Sequence, residues 1–187
     1  SLGFLHNNNE FYISQGGSYQ KENAILAIET CKKHFNQIEI SDLQSALKKW
    51  VWPGRMQLMK KDFFYDVAHN ASAVNKLTKD LFSIYNMKPI GLLVLKNDKI
   101  TDNFLMLLED RFEKLIISTI DSKDILQESD ILSNSKLKKF KFINNFNDAL
   151  CEVQSIKYNG PKVVFGSHYI ANQLYKFFDF SFDNGAI

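Results

Sequence analysis

Asp66, His69 and Asn70 bring a carboxylate, an imidazole and an amide into the five residues Asp66-Val67-Ala68-His69-Asn70, the densest polar grouping in a chain of 187 residues. The run before them, Phe63-Phe64-Tyr65, is apolar enough for a buried strand, and a helical pattern begins at Ala71. These polar groups are therefore expected at the carboxyl end of a strand and the amino end of a helix, where backbone N–H groups and the helix dipole favour anions. A purely local account is equally open: Asn70 caps the helix, Asp66 ends the strand, and His69 is a loop histidine satisfied by its neighbours.

Three further groupings carry weaker signals. In Trp52-Pro53-Gly54-Arg55, proline and glycine set a rigid turn that presents an arginine, whose planar fork suits phosphate or carboxylate. Turns also carry plain solvated arginines. Gly17-Ser18-Tyr19-Gln20, with Asn23 one turn into the following helix, has the make-up of a glycine-rich turn that can cradle phosphate. No Gly-x-x-x-x-Gly-Lys-Ser/Thr occurs anywhere in the chain, and an ordinary loop explains the segment as well. Val163-Val164-Phe165-Gly166-Ser167 reads as a strand that ends in a tight turn, with Ser167 as the cap of the next helix; His168 beside it has no evident partner.

The elements that must position these residues follow from periodicity. Leu2 to Leu5 and Glu10 to Ser14 flank a turn-forming His6-Asn7-Asn8-Asn9, which predicts a hairpin. A lone hairpin is marginal in water, so this one is expected to belong to a sheet whose other strands lie outside these residues. Apolar residues at helical spacing from Gln20 to about Phe35 predict a first helix. Ser41, with Gln44 as its capping-box partner, predicts the start of a second, which ends before Trp52-Pro53. From Arg55 onward strands and helices alternate. Strands are expected at Phe63 to Asp66, Ile90 to Leu95, Lys114 to Ser118, Lys139 to Ile143 and Lys162 to Phe165, with Met56 to Met59 as an added hairpin strand. Helices are expected at Ala71 to Tyr85, Asp102 to Arg111, Ser122 to Leu132, Asn145 to Gln154 and Ser167 to Phe178. This is the pattern of an α/β fold, a Rossmann-like, mostly parallel sheet with helices on both faces. Ligands of such sheets bind at the carboxyl ends of the strands, near a topological switch point.

Composition excludes several classes. A 45% apolar and 24% charged chain is that of a globular protein rather than a disordered or fibrous one. The net charge of +2 comes from dispersed lysines, which leaves no footprint for nucleic acid or anionic lipid. No apolar run is long enough to span a bilayer and no signal peptide opens the chain, so a cytoplasmic protein is expected. Cys31 and Cys151 stand alone, without the spacing of a zinc or redox motif, and read as two reduced thiols. No Gly-x-Gly-x-x-Gly follows a strand, which disfavours a dinucleotide oxidoreductase.

Taken in order, the groupings resemble a known family. Tyr19-Gln20-Lys21-Glu22-Asn23-Ala24 is similar to the His-Gln-x-x-Asn-Ala segment that links the central and C-terminal domains of folylpolyglutamate and dihydrofolate synthases, relatives of the Mur ligases. Trp52-Pro53-Gly54-Arg55 resembles their Pro-Gly-Arg turn, Asp66-Val67-Ala68-His69-Asn70 their Asp-Gly-Ala-His-Asn signature, and Phe165-Gly166-Ser167-His168-Tyr169 their Gly-Ser-x-Tyr segment. Lys96-Asn97-Asp98-Lys99 is a looser echo of an Asp-Lys-Asp stretch.

The resemblance implies an ATP-dependent ligase. In that family a P-loop domain binds ATP and magnesium and phosphorylates the carboxylate of a pteroate or folate, and the amine of L-glutamate attacks the acyl phosphate while the C-terminal domain closes the cleft. On this basis residues 1–18 would be the tail of the central ATPase domain, 19–52 linker helices, and 53–187 the C-terminal α/β domain. Asn23, Arg55 and Asp66 match ATP-contacting positions; His69, and more weakly Ser167, match glutamate-placing ones. No residue here would be catalytic by itself, the magnesium ligands would lie in the central domain, and the isolated chain would be inactive. The implied partners are L-glutamate, dihydropteroate or folate, and the central ATPase domain, with neither nucleic acid nor membrane. Three departures stand out. Tyr19 replaces the linker histidine, the Arg55 to Asp66 stretch is about two residues short, and Val67 replaces a glycine whose access to positive φ a branched side chain lacks. A Mur ligase C-terminal domain, or a non-catalytic nucleotide-like binding or interaction module of the same fold, are the alternatives.

Overall fold

The computed structural model describes residues 2–14, 16–35 and 37–181. The chain folds as two compact units, one built from the residues up to Gln57 and the other from Leu58–Phe180.

In the first unit, β1 (Leu2–His6) and β2 (Asn9–Ile13) form an antiparallel hairpin in which Phe4 is paired with Phe11. Asn7 and Asn8 make the turn at φ 47° and 63°. Positive φ at both central residues is what a two-residue hairpin turn requires, and asparagine tolerates it. The hairpin forms a sheet of two strands, stabilised by packing: Phe4, Phe11 and Ile13 share a core with Ala24 and Ile28 of α1 (Gln20–His34) and Leu43 of α2 (Ile40–Lys49). The start of α2 differs from the sequence expectation. Glu39 is the N-cap, in a reciprocal box with Asp42, so Ser41 falls inside the first turn. Gln44, expected to complete the box, instead donates its amide to the Glu10 carbonyl at 2.8 Å, which ties α2 to β2.

The second unit is a six-stranded sheet in the order β3-β4-β8-β5-β6-β7. β3 (Gln57–Lys60) joins β4 (Phe63–Asp66) through the two-residue turn Lys61-Asp62, with Asp62 at φ 58°. β4, β8 (Lys162–Phe165), β5 (Ile90–Leu93), β6 (Lys114–Ser118) and β7 (Lys141–Ile143) are parallel. Their residues are buried in near-continuous runs, as expected of a sheet covered on both faces. On one face α3 (Ala71–Tyr85) packs beside α4 (Asp102–Arg111). On the other, Phe146, Ala149, Leu150 and Val153 of α6 (Phe146–Ser155) and Leu174 of α7 (Ala171–Phe177) bury Tyr65, Leu92, Ile116 and Val164. No helix of the described residues is long and apolar enough to cross a membrane.

Three element bounds are corrected. The helix expected from Ser122 begins at Glu128 as α5 (Glu128–Ser133), because Ile125 and Leu126 are used otherwise. Ile125 bridges to Lys96, and the Leu126 N–H donates to the Leu95 carbonyl at 2.9 Å, extending the sheet past β5. β7 starts at Lys141 because the preceding residues are coiled in a turn, closed by Phe140 N–H on the Leu137 carbonyl. The last helix starts at Ala171, capped by Ile170, so Ser167 is not its N-cap.

Candidate functional site

The strand order creates a switch point. The chain leaves β4, passes over one position to β5, and β8 later fills the gap between them. β4 and β5 are followed by helices on one face, β8 by α7 on the other. In sheets of this topology the loops leaving such strands diverge at the switch point, and the crevice expected at the carboxyl edge above β8 is where ligands bind. Asp66 and Leu93 both lie level with Phe165. The ends of β4 and β5 are thus two inter-strand steps apart, about 10 Å.

On the β4 side, Asp66 is buried and its Oδ1 accepts the Ala68 N–H at 2.8 Å, which folds the chain back over the strand end. Val67 is partly buried against the apolar layer of the α6 face and is not among the described non-glycine residues with positive φ. Valine therefore occupies this position without the strain of a positive φ. Asn70 caps α3, its side chain accepting the Ala73 N–H at 2.9 Å. His69 is exposed, and its Nδ1 lies 2.9 Å from the Val67 carbonyl. Facing an acceptor, Nδ1 must carry the proton, so in the neutral ring Nε2 presents its lone pair outward. Every member of the group is locally satisfied, and one functional face, His69 Nε2, is left to solvent.

On the β8 side, Gly166 has φ 111°, and a Cβ there would meet the Val94 carbonyl oxygen at 2.3 Å. Only glycine fits this approach of β8 to β5. Ser167 is buried; its carbonyl accepts the Tyr65 hydroxyl at 3.1 Å and its Oγ accepts the Tyr169 N–H at 3.1 Å, an arrangement that fixes the hydroxyl at the crevice in place of the expected cap. From β5, Lys96 extends its ammonium over the Tyr169 ring, 5.1 Å from the centroid. Tyr169 is the leading cause of a lysine pKa held above its ordinary value, with the charges of Asp124 and Asp98 adding to it against desolvation. This pairing joins the segments that follow β5 and β8, and Lys96 was not legible in the sequence as a site residue. A second concavity, of about 390 Å³, lies beside the ends of β6 and β7, and two of its amide side chains are committed locally. Gln127 donates to the Ser122 and Ile125 carbonyls, and Asn145 caps α6.

The other two candidates meet in the first unit. Asn23 and Arg55 line one cavity of about 450 Å³ whose walls are mostly apolar, among them Ala24, Ile28, Leu43, Trp50 and Trp52. The Asn23 amide donates to Gln20 Oε1 at 2.8 Å, and Gln20 is buried at the start of α1. The turn that carries Arg55 has Gly54 at φ 67° and Met56 at 46°, and its Gly54 N–H donates to Gln57 Oε1 at 2.9 Å. Gln57 was not legible as a support for that turn. Trp50 and Trp52 meet edge to face at 5.7 Å beside it. The cavity offers flat apolar walls, an amide and a guanidinium, a chemistry suited to a planar heterocycle with an anionic tail. Both cysteines are free thiols, Cys31 on the wall of this cavity and Cys151 on α6. Among the described residues no group of three or more His, Cys, Asp or Glu side chains could hold a metal.

No family model matches the chain. Two curated proteins, both named dihydrofolate synthase/folylpolyglutamate synthase, do. The one from Bacillus subtilis is 28% identical over 170 residues, 86% of this chain and 39% of its own length. The one from Mycobacterium tuberculosis is 25% identical over 117 residues, 58% of this chain and 24% of its own. The chain therefore spans between a quarter and two fifths of the length of these relatives. Among solved structures, the Mycobacterium tuberculosis folylpolyglutamate synthase complexed with ADP and AMPPCP superposes with a TM-score of 0.78 at 22% identity, covering 92% of this chain and 43% of that one. In sequence over 170 residues, and in fold over nearly its whole length, the chain is similar to the dihydrofolate synthase/folylpolyglutamate synthases.

Proposed function

We propose that the chain is the C-terminal portion of an ATP-dependent ligase that adds L-glutamate to dihydropteroate or folate through an acyl phosphate, and that it forms one wall of the ATP and glutamate site. The similarity to the dihydrofolate synthase/folylpolyglutamate synthases carries this reading. Each unit, taken by itself, supports it. Asn23 and Arg55 share a cavity whose apolar walls suit an adenine and whose guanidinium suits phosphate oxygens. Asp66 ends a strand at a switch point, where a carboxylate suits ribose hydroxyls. His69 holds Nε2 as an acceptor, the form that accepts a hydrogen bond from the incoming amine, and Ser167 stands just beyond the neighbouring strand end. The chemistry these residues supply is orientation and charge complementarity rather than proton transfer or covalent catalysis.

The 187 residues contain no phosphate-binding loop, and the described residues offer no set of metal ligands. In this reading the magnesium ligands, the P-loop and the pteroate pocket belong to a central ATPase domain, the chain's principal partner, and the setting is the cytoplasm. The test joins the chain to the amino-terminal ATPase portion of the Bacillus subtilis relative and measures glutamate- and folate-dependent ADP release. The chain alone should be inactive and the joined protein active. Arg55→Ala and Asp66→Ala should each reduce turnover about 100-fold, in keeping with the loss of one preorganised charged contact. Turnover by the chain alone would refute the partial-site reading, and full activity in both variants would refute the site.

A further inference from the structure

The crevice above β8 has a cation on the side opposite His69. Lys96 stands three residues beyond β5, level with Tyr169 four residues beyond β8, and the two side chains meet at 5.1 Å. The Tyr169 side chain is the leading influence on the ammonium, ahead of the charges of Asp124 and Asp98, and an aromatic face holds a cation in place without neutralising it. Ser167, between the two rims, accepts the Tyr169 N–H through Oγ and keeps its hydroxyl proton to donate. The ends of β4 and β5, from which the His69 and Lys96 loops leave, lie about 10 Å apart. An extended acidic amino acid, with both side chains reaching toward it, fits that span.

We infer that Lys96 holds the side-chain carboxylate of the incoming amino acid, with the α-amine at His69 and the α-carboxylate at Ser167, and that Lys96 thereby selects an acidic over a neutral amino acid. This rests on the reading of His69 and Ser167 as the amino-acid site. It adds the residue that distinguishes glutamate from glutamine, which share every other polar group. Tyr169 is a positioning residue, acting through the lysine.

The test is titration of the whole chain with L-glutamate and with L-glutamine, followed by the amide and imidazole resonances in NMR. The wild type should bind glutamate more tightly than glutamine. Lys96→Met should weaken glutamate about tenfold, the order expected for one charge-assisted contact at a partly exposed site, while leaving glutamine unchanged and so erasing the preference. Lys96→Arg should restore much of it. Lys96 lies at the edge of the fold, and an unchanged amide spectrum of Lys96→Met confirms that the variant is folded. If the wild type prefers glutamate and Lys96→Met retains that preference, the role of Lys96 is overturned while His69 and Ser167 stand. If the wild type binds neither amino acid up to tens of millimolar, the amino-acid site and the role of Lys96 fall together.

Discussion

Asp66 and Ser167 are held by strands whose neighbours Tyr65, Val164 and Phe165 are fully buried between two helical layers, whereas Asn23 and Arg55 are held by one helix and one turn around a small core. The sheet unit fixes its polar groups by backbone: parallel strands set the spacing, and Gly166 and the Asp66 to Ala68 bond set the turns. The hairpin and helix unit fixes its groups by side chains, Gln20 on Asn23 and Gln57 on the arginine turn. It also leaves Leu5, Leu26, Phe35 and Trp52 more than half exposed. A region of fewer than 60 residues buries little surface, and few kcal/mol separate it from unfolding. The sheet unit is thus held chiefly by its backbone and a large core, the hairpin and helix unit by side chains and a small one.

The contrast is broken most forcefully at Phe11, which is fully buried and stacks on Phe4 with ring centroids 5.7 Å apart. Phe11→Ala should cost about 3–5 kcal/mol, the range for a fully buried phenylalanine, which equals or exceeds what so small a core supplies. Hydrogen exchange should then show α1 and α2 losing protection while β5, β6 and β8 keep theirs. Loss of protection in the sheet to the same extent would show that the two units fold as one.

The complementary change is Gly166→Ala. A methyl at φ 111°, placed 2.3 Å from the Val94 carbonyl oxygen, forces β8 and β5 apart or forces the turn out of shape. A cost of about 3 kcal/mol is expected, confined to the sheet unit and read as an earlier denaturant midpoint for its transition. Because Ser167 and Tyr169 hang from this turn, the Lys96 to Tyr169 contact should loosen as well.

Much of the sheet unit was legible because its strands are continuous apolar runs and its helices have caps with few rivals, Asn70 and Asn145 among them. What failed did so where tertiary contacts chose between equal local options. Two capping boxes are written into the start of α2, and Gln44 is drawn from one of them by the Glu10 carbonyl of another element. Ile125 and Leu126 continue a helical pattern but gain more by adding to the sheet past β5. The insertion of β8 between β4 and β5 leaves no trace in element order, so the crevice, and Lys96 as its far rim, could not be derived from one dimension. At Val67 the sequence signalled strain where none exists, because the pattern shows which residue type was replaced but not which φ the loop adopts.

The smallest effect compares two tyrosines, one in each unit. Tyr85, at the end of α3, donates to Asp62 at 2.9 Å, and its pKa is pushed up to about 12, first by burial and then by that carboxylate. Tyr12, in the hairpin, is raised first by its hydrogen bond to Glu10 and sits at the surface. Below about pH 10 both the folded and the unfolded chain keep the Tyr85 proton, so this group adds no pH dependence. Between about 10 and 12 the unfolded chain releases the proton and the folded chain retains it. The folded state then binds more protons, and stability falls as pH rises through that window. Tyr85→Phe should flatten this decline in the sheet transition and remove a phenol titrating near 12 from the absorbance curve. Tyr12→Phe should leave the sheet transition untouched, because its hydroxyl gains its shift from a flexible surface carboxylate rather than from the packing of the fold. A sheet transition that responded equally to both substitutions would show that the alkaline decline belongs to the net charge of the chain and not to the burial of Tyr85.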